Sequence, residues 1–224
     1  EIWERLDKEL LKNIYWQSST MLFFKKANKY FPIIEPILKK HNIPDEFKYL
    51  AVIESGLDNV VSPSGAAGFW QIMKGTALEY GLEVNSDIDE RYNLEKSTEL
   101  ACIYLQDAYD KFGNWTIAAA SYNMGKSGVR TRMSEQGTNN YYNLHLNSET
   151  ARYVFRILAV KEIMENPKKY GFIFRTKDLY VMPEYKTLEV DSTIANLNDF
   201  AKIHGVNYKL LKEFNPWLRT FSLP

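Results

Sequence analysis

The stretch Phe47-Lys48-Tyr49-Leu50-Ala51-Val52-Ile53-Glu54-Ser55-Gly56 decides the reading of the chain. Pro44 stands where a first helical turn tolerates a missing N–H, and Gly56 is placed to end a helix running from Pro44 to about Ser55. The run is almost wholly apolar until Glu54. A carboxylate in the last turn meets the negative end of the helix dipole, and apolar neighbours such as Ile53 and Phe69 add desolvation. Both effects raise its pKa, so Glu54 can keep a proton for general acid chemistry. Read alone, it is more often a solvated residue at a helix end.

Outward from this stretch the signals stay helical from Glu1 to about Gly171. Trp3, Leu6, Leu10, Ile14 and Met21 recur at near-helical spacing and predict one long amphipathic helix over the first 30 or so residues. Further helices are expected at 32–41, 69–80, 94–112 capped by Asn93, 115–123, and 149–165 capped by Ser148, with an irregular segment at 137–147. Beyond Asn166-Pro167 the texture changes. A short strand is expected at 186–190, then two short helices at 197–204 and 208–214. The fold class is mainly α: a helical domain over 1–171, with 1–31 as an N-terminal helical extension, and a small α+β module with its linker over 172–224.

Composition narrows the function. The chain has 224 residues, 28 Lys+Arg against 28 Asp+Glu, and 45% hydrophobic residues, enough for a packed core and without the basic excess of a nucleic-acid binder. One cysteine, Cys102, excludes an internal disulfide framework and reads as an inert core residue. His41, His145 and His204 lie far apart, so no metal site is expected. No apolar run reaches the roughly 18 residues of a membrane span. Glu1 at the first position leaves open an export signal or lipid anchor already removed, and composition leaves the compartment open.

Three more segments carry possible chemistry. Ser62-Pro63-Ser64-Gly65-Ala66-Ala67-Gly68-Phe69-Trp70-Gln71-Ile72-Met73 is a turn-rich loop that lets a ligand approach the backbone. Ala118-Ala119-Ala120-Ser121-Tyr122-Asn123-Met124-Gly125 is a tightly packing helix whose end can aim a hydroxyl and an amide into a cleft. Ser148-Glu149-Thr150-Ala151-Arg152-Tyr153-Val154 opens a helix. Each by itself reads more readily as ordinary structure: a flexible loop before a core helix, a helix end, and a capped core helix.

Together and in this order, the four segments resemble the lytic transglycosylases of bacterial peptidoglycan, whose catalytic domain is lysozyme-like, most of all the membrane-bound murein transglycosylase D type. The resemblance spans about residues 32–171 and implies Glu54 as the single catalytic acid/base. It implies Ser62, Gln71, Met73, Tyr122, Asn123 and Tyr153 as substrate-binding residues, with Trp70 or cleft tyrosines as sugar platforms. It implies cleavage of the β-1,4 bond between N-acetylmuramic acid and N-acetylglucosamine, with a 1,6-anhydromuramic acid end, and no cofactor or metal. The implied partner is the glycan strand, acted on by a monomer in the periplasm or cell envelope, where a removed N-terminal anchor would attach it to a membrane. Lys74, Asn147 and Met124-Gly125-Lys126 depart from the usual pattern, in places that touch backbone stiffness around the cleft.

Residues 184–223 resemble a diverged LysM glycan-binding module, chiefly through Val206-Asn207-Tyr208-Lys209-Leu210-Leu211-Lys212-Glu213-Phe214-Asn215-Pro216. Its opening turn is altered to Asp191-Ser192-Thr193 and its closing strand is not evident. Two rival readings stand. A goose-type hydrolytic muramidase would place a water with Asp58, Asp87, Asp89 or Glu90. A non-catalytic peptidoglycan-binding protein would use the same lobe as scaffold.

Overall fold

The computed structural model describes all 224 residues, Glu1–Pro224, and forms ten α-helices with no extended strand. They are α1 (Ile2–Tyr15), α2 (Gln17–Lys40), α3 (Lys48–Ser55), α4 (Lys74–Glu79), α5 (Leu94–Phe112), α6 (Trp115–Met124), α7 (Lys126–Gln136), α8 (Ser148–Glu165), α9 (Leu197–Ile203) and α10 (Tyr208–Phe214). No helix is long and apolar enough to cross a membrane.

At the centre lies α3. Tyr49, Leu50, Ala51, Val52 and Ile53 are all buried, which is the signature of a helix surrounded by others rather than lying on a surface. Helices α2 and α8 pack against it, α5 lies against α2 and α6, and α6 also meets α8. The run Ile117–Ser121 of α6 is buried, its small alanines allowing close approach. Asn93 caps α5 as expected, accepting from Lys96 N–H at 2.9 Å, and Gly113 ends that helix in the left-handed region.

The N-terminal segment differs from the expected single helix. The chain breaks at Trp16, and α1 turns back along α8. Leu10 joins Ala159, Ile163 and Phe172 in a second small core. Glu9, only 2% exposed, accepts from Arg152 Nε at 2.6 Å and Nη2 at 3.0 Å, and from Lys12 at 3.1 Å. Thr20 Oγ1 donates to the Asn13 carbonyl at 2.5 Å and so satisfies one of the free acceptors at the end of α1. Conversely, α2 runs through Pro32 and Pro36 where a new helix was expected. Both prolines face solvent, so water can serve the carbonyls they leave unpaired, while Ile34 and Leu38 anchor the buried face.

The expected helix over 69–80 is helical only from Lys74. Before it, residues 60–73 form a compact loop closed by isolated bridges between Val61 and Ala67 and between Ala67 and Ile72. Gly68 at φ +81° and Gln71 at φ +48° take left-handed conformations, which tighten the turn enough to drive Trp70 into the core. Trp70 Nε1 donates to Thr98 Oγ1 at 2.8 Å. Helix α7 was not expected. Only Val129 on it is buried, so it lacks the apolar stripe that reveals a helix in sequence. Asn147, not Ser148, caps α8, accepting from Thr150 N–H at 2.8 Å.

Phe172 and Phe174 pack at a tilt against Phe24, and Tyr180 N–H donates to the Lys25 carbonyl at 3.2 Å, so the segment after α8 stays stapled to α2. The strand expected at 186–190 is irregular and exposed, because no neighbouring strand offers it a ladder. The pairing in this module is instead Ile194 with Leu223, by hydrogen bonds of 2.8 and 2.9 Å, which supplies the closing edge that the sequence did not reveal.

A Cβ built on Gly68 would sit 2.0 Å from the Arg91 carbonyl oxygen, whereas one on Gly65 (φ +84°) meets nothing within 4 Å. Gly68→Ala is therefore expected to cost at least about 2 kcal/mol and Gly65→Ala only about 1 kcal/mol, both measured by urea unfolding. Equal losses would mean that the loop does not lie on Arg91.

Candidate active site

Glu54 occupies the last turn of α3, which Gly56 ends at φ +64°. Its side chain is half-buried. Tyr153, fully buried on α8, donates its hydroxyl to Glu54 Oε1. Oε2 has no partner within the chain and is not sealed from solvent, so one oxygen is anchored and the other is open to a ligand. Burial pushes the Glu54 carboxyl above its ordinary range. The Tyr153 hydrogen bond and the Arg156 charge pull the other way, and the Glu149 charge adds to the rise.

Arg156, one turn beyond Arg152 on α8, donates from Nη2 to the Ile53 carbonyl at 2.6 Å. It thereby satisfies an acceptor at the end of α3 beside the acid. Ser55 Oγ donates to the Phe69 carbonyl at 2.8 Å, joining the end of α3 to the loop. Sequence reading gives neither residue a role, because both act through backbone atoms distant in the chain.

Tyr122 lies at the end of α6, and its hydroxyl donates to the Trp70 carbonyl at 2.8 Å. Burial and then the Glu54 charge hold this phenol well above its ordinary pKa, as they do for Tyr153. Both stay neutral donors beside the acid. Thr150 Oγ1 donates to Asn123 Oδ1 at 2.6 Å, which leaves the Asn123 amide NH2 without a partner in the chain and open to solvent. The two helix ends thus present a carboxyl oxygen and an amide donor.

The loop residues are placed differently. Gln71 Nε2 donates to the carbonyls of Val60 at 3.0 Å and Gly68 at 2.8 Å, and Ser62 Oγ accepts from Ala66 N–H at 3.1 Å. Both therefore shape the loop, and neither bonds Glu54. Met73, 46% exposed, sits at the start of α4 with its thioether free to meet a ligand. Trp70 is fully buried, so it offers no sugar platform, contrary to the expectation. Its packing and its bond to Thr98 consume the ring.

The four carboxylates weighed for a hydrolytic route each have a partner. Asp58 pairs with Lys26, Asp89 makes a two-pronged pair with Arg91 at 2.9 and 2.8 Å, and Glu90 accepts from Lys96 and from Glu83 N–H. Asp87 accepts from Ser86 Oγ at 2.9 Å. No group of three or more metal-ligating side chains gathers in the chain. Cys102 is buried, and burial pushes its thiol up to about 12.

Residues 31–145 match the family described as Transglycosylase SLT domain, and residues 186–224 match the Soluble lytic transglycosylase C-terminal LysM-like domain. The chain is 30% identical over 226 aligned residues to membrane-bound lytic murein transglycosylase D of Escherichia coli K12, an alignment covering 98% of this chain and 48% of that relative. It thus spans about half the length of the relative. The crystal structure of the 70 kDa soluble lytic transglycosylase of E. coli superposes with a TM-score of 0.52 at 26% identity, over 64% of this chain and 25% of that one. A complex of a 70-kDa soluble lytic transglycosylase with bulgecin A has the same fold, at TM-score 0.52 and 24% identity over 69% and 27% of the two chains.

The raised pKa of Glu54 has a consequence for stability. Below the unfolded value of about 4.3 both states hold the proton and the group contributes no difference. As pH rises through the higher folded value, ionisation costs the folded state more than the unfolded one. Glu54→Gln, which keeps an oxygen to accept from Tyr153, should therefore melt higher than the parent near neutral pH. The advantage should vanish below pH about 4 in calorimetric scans. Identical melting at every pH would mean that Glu54 is not desolvated.

Proposed function

The chain belongs to the transglycosylase SLT-domain family, and from that premise we propose that it cleaves peptidoglycan glycan strands with Glu54 as the single acid/base. The observation that carries the reading is the half-buried carboxyl with one oxygen held by Tyr153 and the other open. A proton retained on the open oxygen is available to the bridging oxygen between N-acetylmuramic acid and N-acetylglucosamine. As the bond breaks, the sugar's own 2-acetamido group stabilises the cation-like centre. The open Asn123 amide is the donor suited to hold that acetamido carbonyl. Glu54, now ionised, takes the proton from the muramic acid 6-hydroxyl, which attacks from within the same sugar and closes the 1,6-anhydro ring. Intramolecular attack gains from proximity and needs no positioned water.

Two-carboxylate glycosidases hold their pair about 5–5.5 Å apart for retention or 6.5–9.5 Å for inversion. Here Glu149 is the one other carboxylate whose charge reaches Glu54, and Asp58, Asp89 and Glu90 are taken up by Lys26, Arg91 and Lys96. This favours the non-hydrolytic route over the muramidase reading. Ser62, Gln71, Met73, Tyr122, Asn123 and Tyr153 are proposed to line the cleft, with Ser62 and Gln71 acting through loop shape. The helical lobe, 1–171 with its 1–31 extension, would hold the chemistry, and 172–224 would link to and form a module that adds glycan affinity. A periplasmic or envelope location with membrane attachment is proposed from the substrate and from the relative's name, and a monomer is proposed with it.

Clearing of purified murein sacculi tests the reading. Glu54→Gln should slow it about 10²–10⁴-fold, the usual worth of general acid–base catalysis, while Glu149→Gln should keep most activity. Mass spectra should show ends one water lighter than reducing ends. Reducing ends alone would overturn the anhydro mechanism, and full activity in Glu54→Gln would remove Glu54 from it.

A further inference from the structure

We propose that the C-terminal module braces the glycan-binding loop through Asp89 and Arg91, making Arg91 a positioning residue. The proposal deepens the reading above, because it takes from that reading the role of residues 62–73 as a cleft wall.

The module is docked rather than tethered. Asp89 N–H donates to the Trp217 carbonyl at 2.9 Å, and Arg219 N–H donates to the Asp87 carbonyl at 2.7 Å. Ile88 and Leu218 form an antiparallel bridge, and both are buried. The Arg219 guanidinium lies 5.3 Å from the centre of the Tyr92 ring. The segment 87–92 is thus held on one side by the module.

Its other side holds the loop. Arg91 and Asp89 are 8% and 6% exposed. Nε and Nη2 of Arg91 are fixed by the Asp89 carboxylate, and Nη1 donates to the carbonyls of Gly65 at 2.9 Å and Ile72 at 3.1 Å. Those two carbonyls stand at opposite ends of the loop's closed turn, so one guanidinium spans it. Gly68 lies against the Arg91 carbonyl so closely that a methyl group would overlap it. The same turn carries the Trp70 carbonyl that receives the Tyr122 hydroxyl. Hydrogen bonds joined by short stretches of backbone therefore run from the module through the loop to Tyr122. The planar fork reaches Asp89 and the two carbonyls from three separate nitrogens, whereas a lysine gathers its three donors on one.

The test uses the full chain. In the double variant Leu218→Asp/Arg219→Pro, which removes the apolar anchor and the Arg219 N–H, amide exchange at Asp89 reports undocking. Exchange at Ala67 and Ile72, whose amides close the loop, should then rise at least about tenfold, with the α5 amides unchanged as a control for global unfolding. Arg91→Lys should speed the same loop amides while leaving Asp89 protected by Trp217. For both variants the KM for murein glycan should rise several-fold with little change in kcat, since Glu54 and Tyr153 are untouched.

Rapid exchange at Asp89 with an unaltered loop would overturn the proposal. So would an Asp89 that stays protected in the double variant, since the module then does not hold that segment. If parent and variants all fail to cleave murein, the functional reading falls, and the exchange experiment still decides whether the module braces the loop.

Discussion

The site depends on where α8 meets the end of α3. Two residues one turn apart do unlike work there: Tyr153 holds the carboxyl of Glu54, and Arg156 holds the carbonyl just before it. Without these contacts the last turn of α3 would have free acceptors in a partly dry place. With them the acid is held in a desolvated position without being fully neutralised by a cation. The balance of burial against one neutral donor and one nearby charge leaves the carboxyl with a raised affinity for protons.

Much of this was legible in the sequence where local rules and tertiary packing agree. The cap at Asn93, the stop at Gly113 and the apolar run of α3 gave the right elements because the same residues that propagate a helix also fill the core. Tyr153 bonds Glu54 directly, while Tyr122 feels its charge and bonds the Trp70 carbonyl instead. Reading failed where distant partners decide. Nothing near Trp16 announces a break, which follows from α1 burying Leu10 and Glu9 against α8. The prolines of α2 read as helix starts, yet their solvent-facing positions make them tolerable inside one. Trp70 looked like a binding surface, but its tight turn and Thr98, 28 residues away, turn it inward.

The loop before α4 repeats the lesson at smaller scale. Its glycines suggested ligand access, and at Gly68 the close neighbour is instead the chain's own backbone at Arg91. A buried ion pair such as Asp89–Arg91 contributes little net stability, yet loss of one partner leaves a charge stranded at a cost of about 3–5 kcal/mol. Such a pair is suited to fixing geometry more than to adding strength.

The contact of α1 with α8 bears on how pieces of this protein are cut for laboratory use. The family match begins at residue 31, but a polypeptide trimmed there would strip the cover from Ala159, Ile163 and Phe172 and leave Arg152 without its carboxylate. The bared patch would lie on the same helix that steadies the acid. The start of the family match and the physical boundary therefore part company at this end of the molecule, and the helix before residue 31 belongs in any version intended to stay folded.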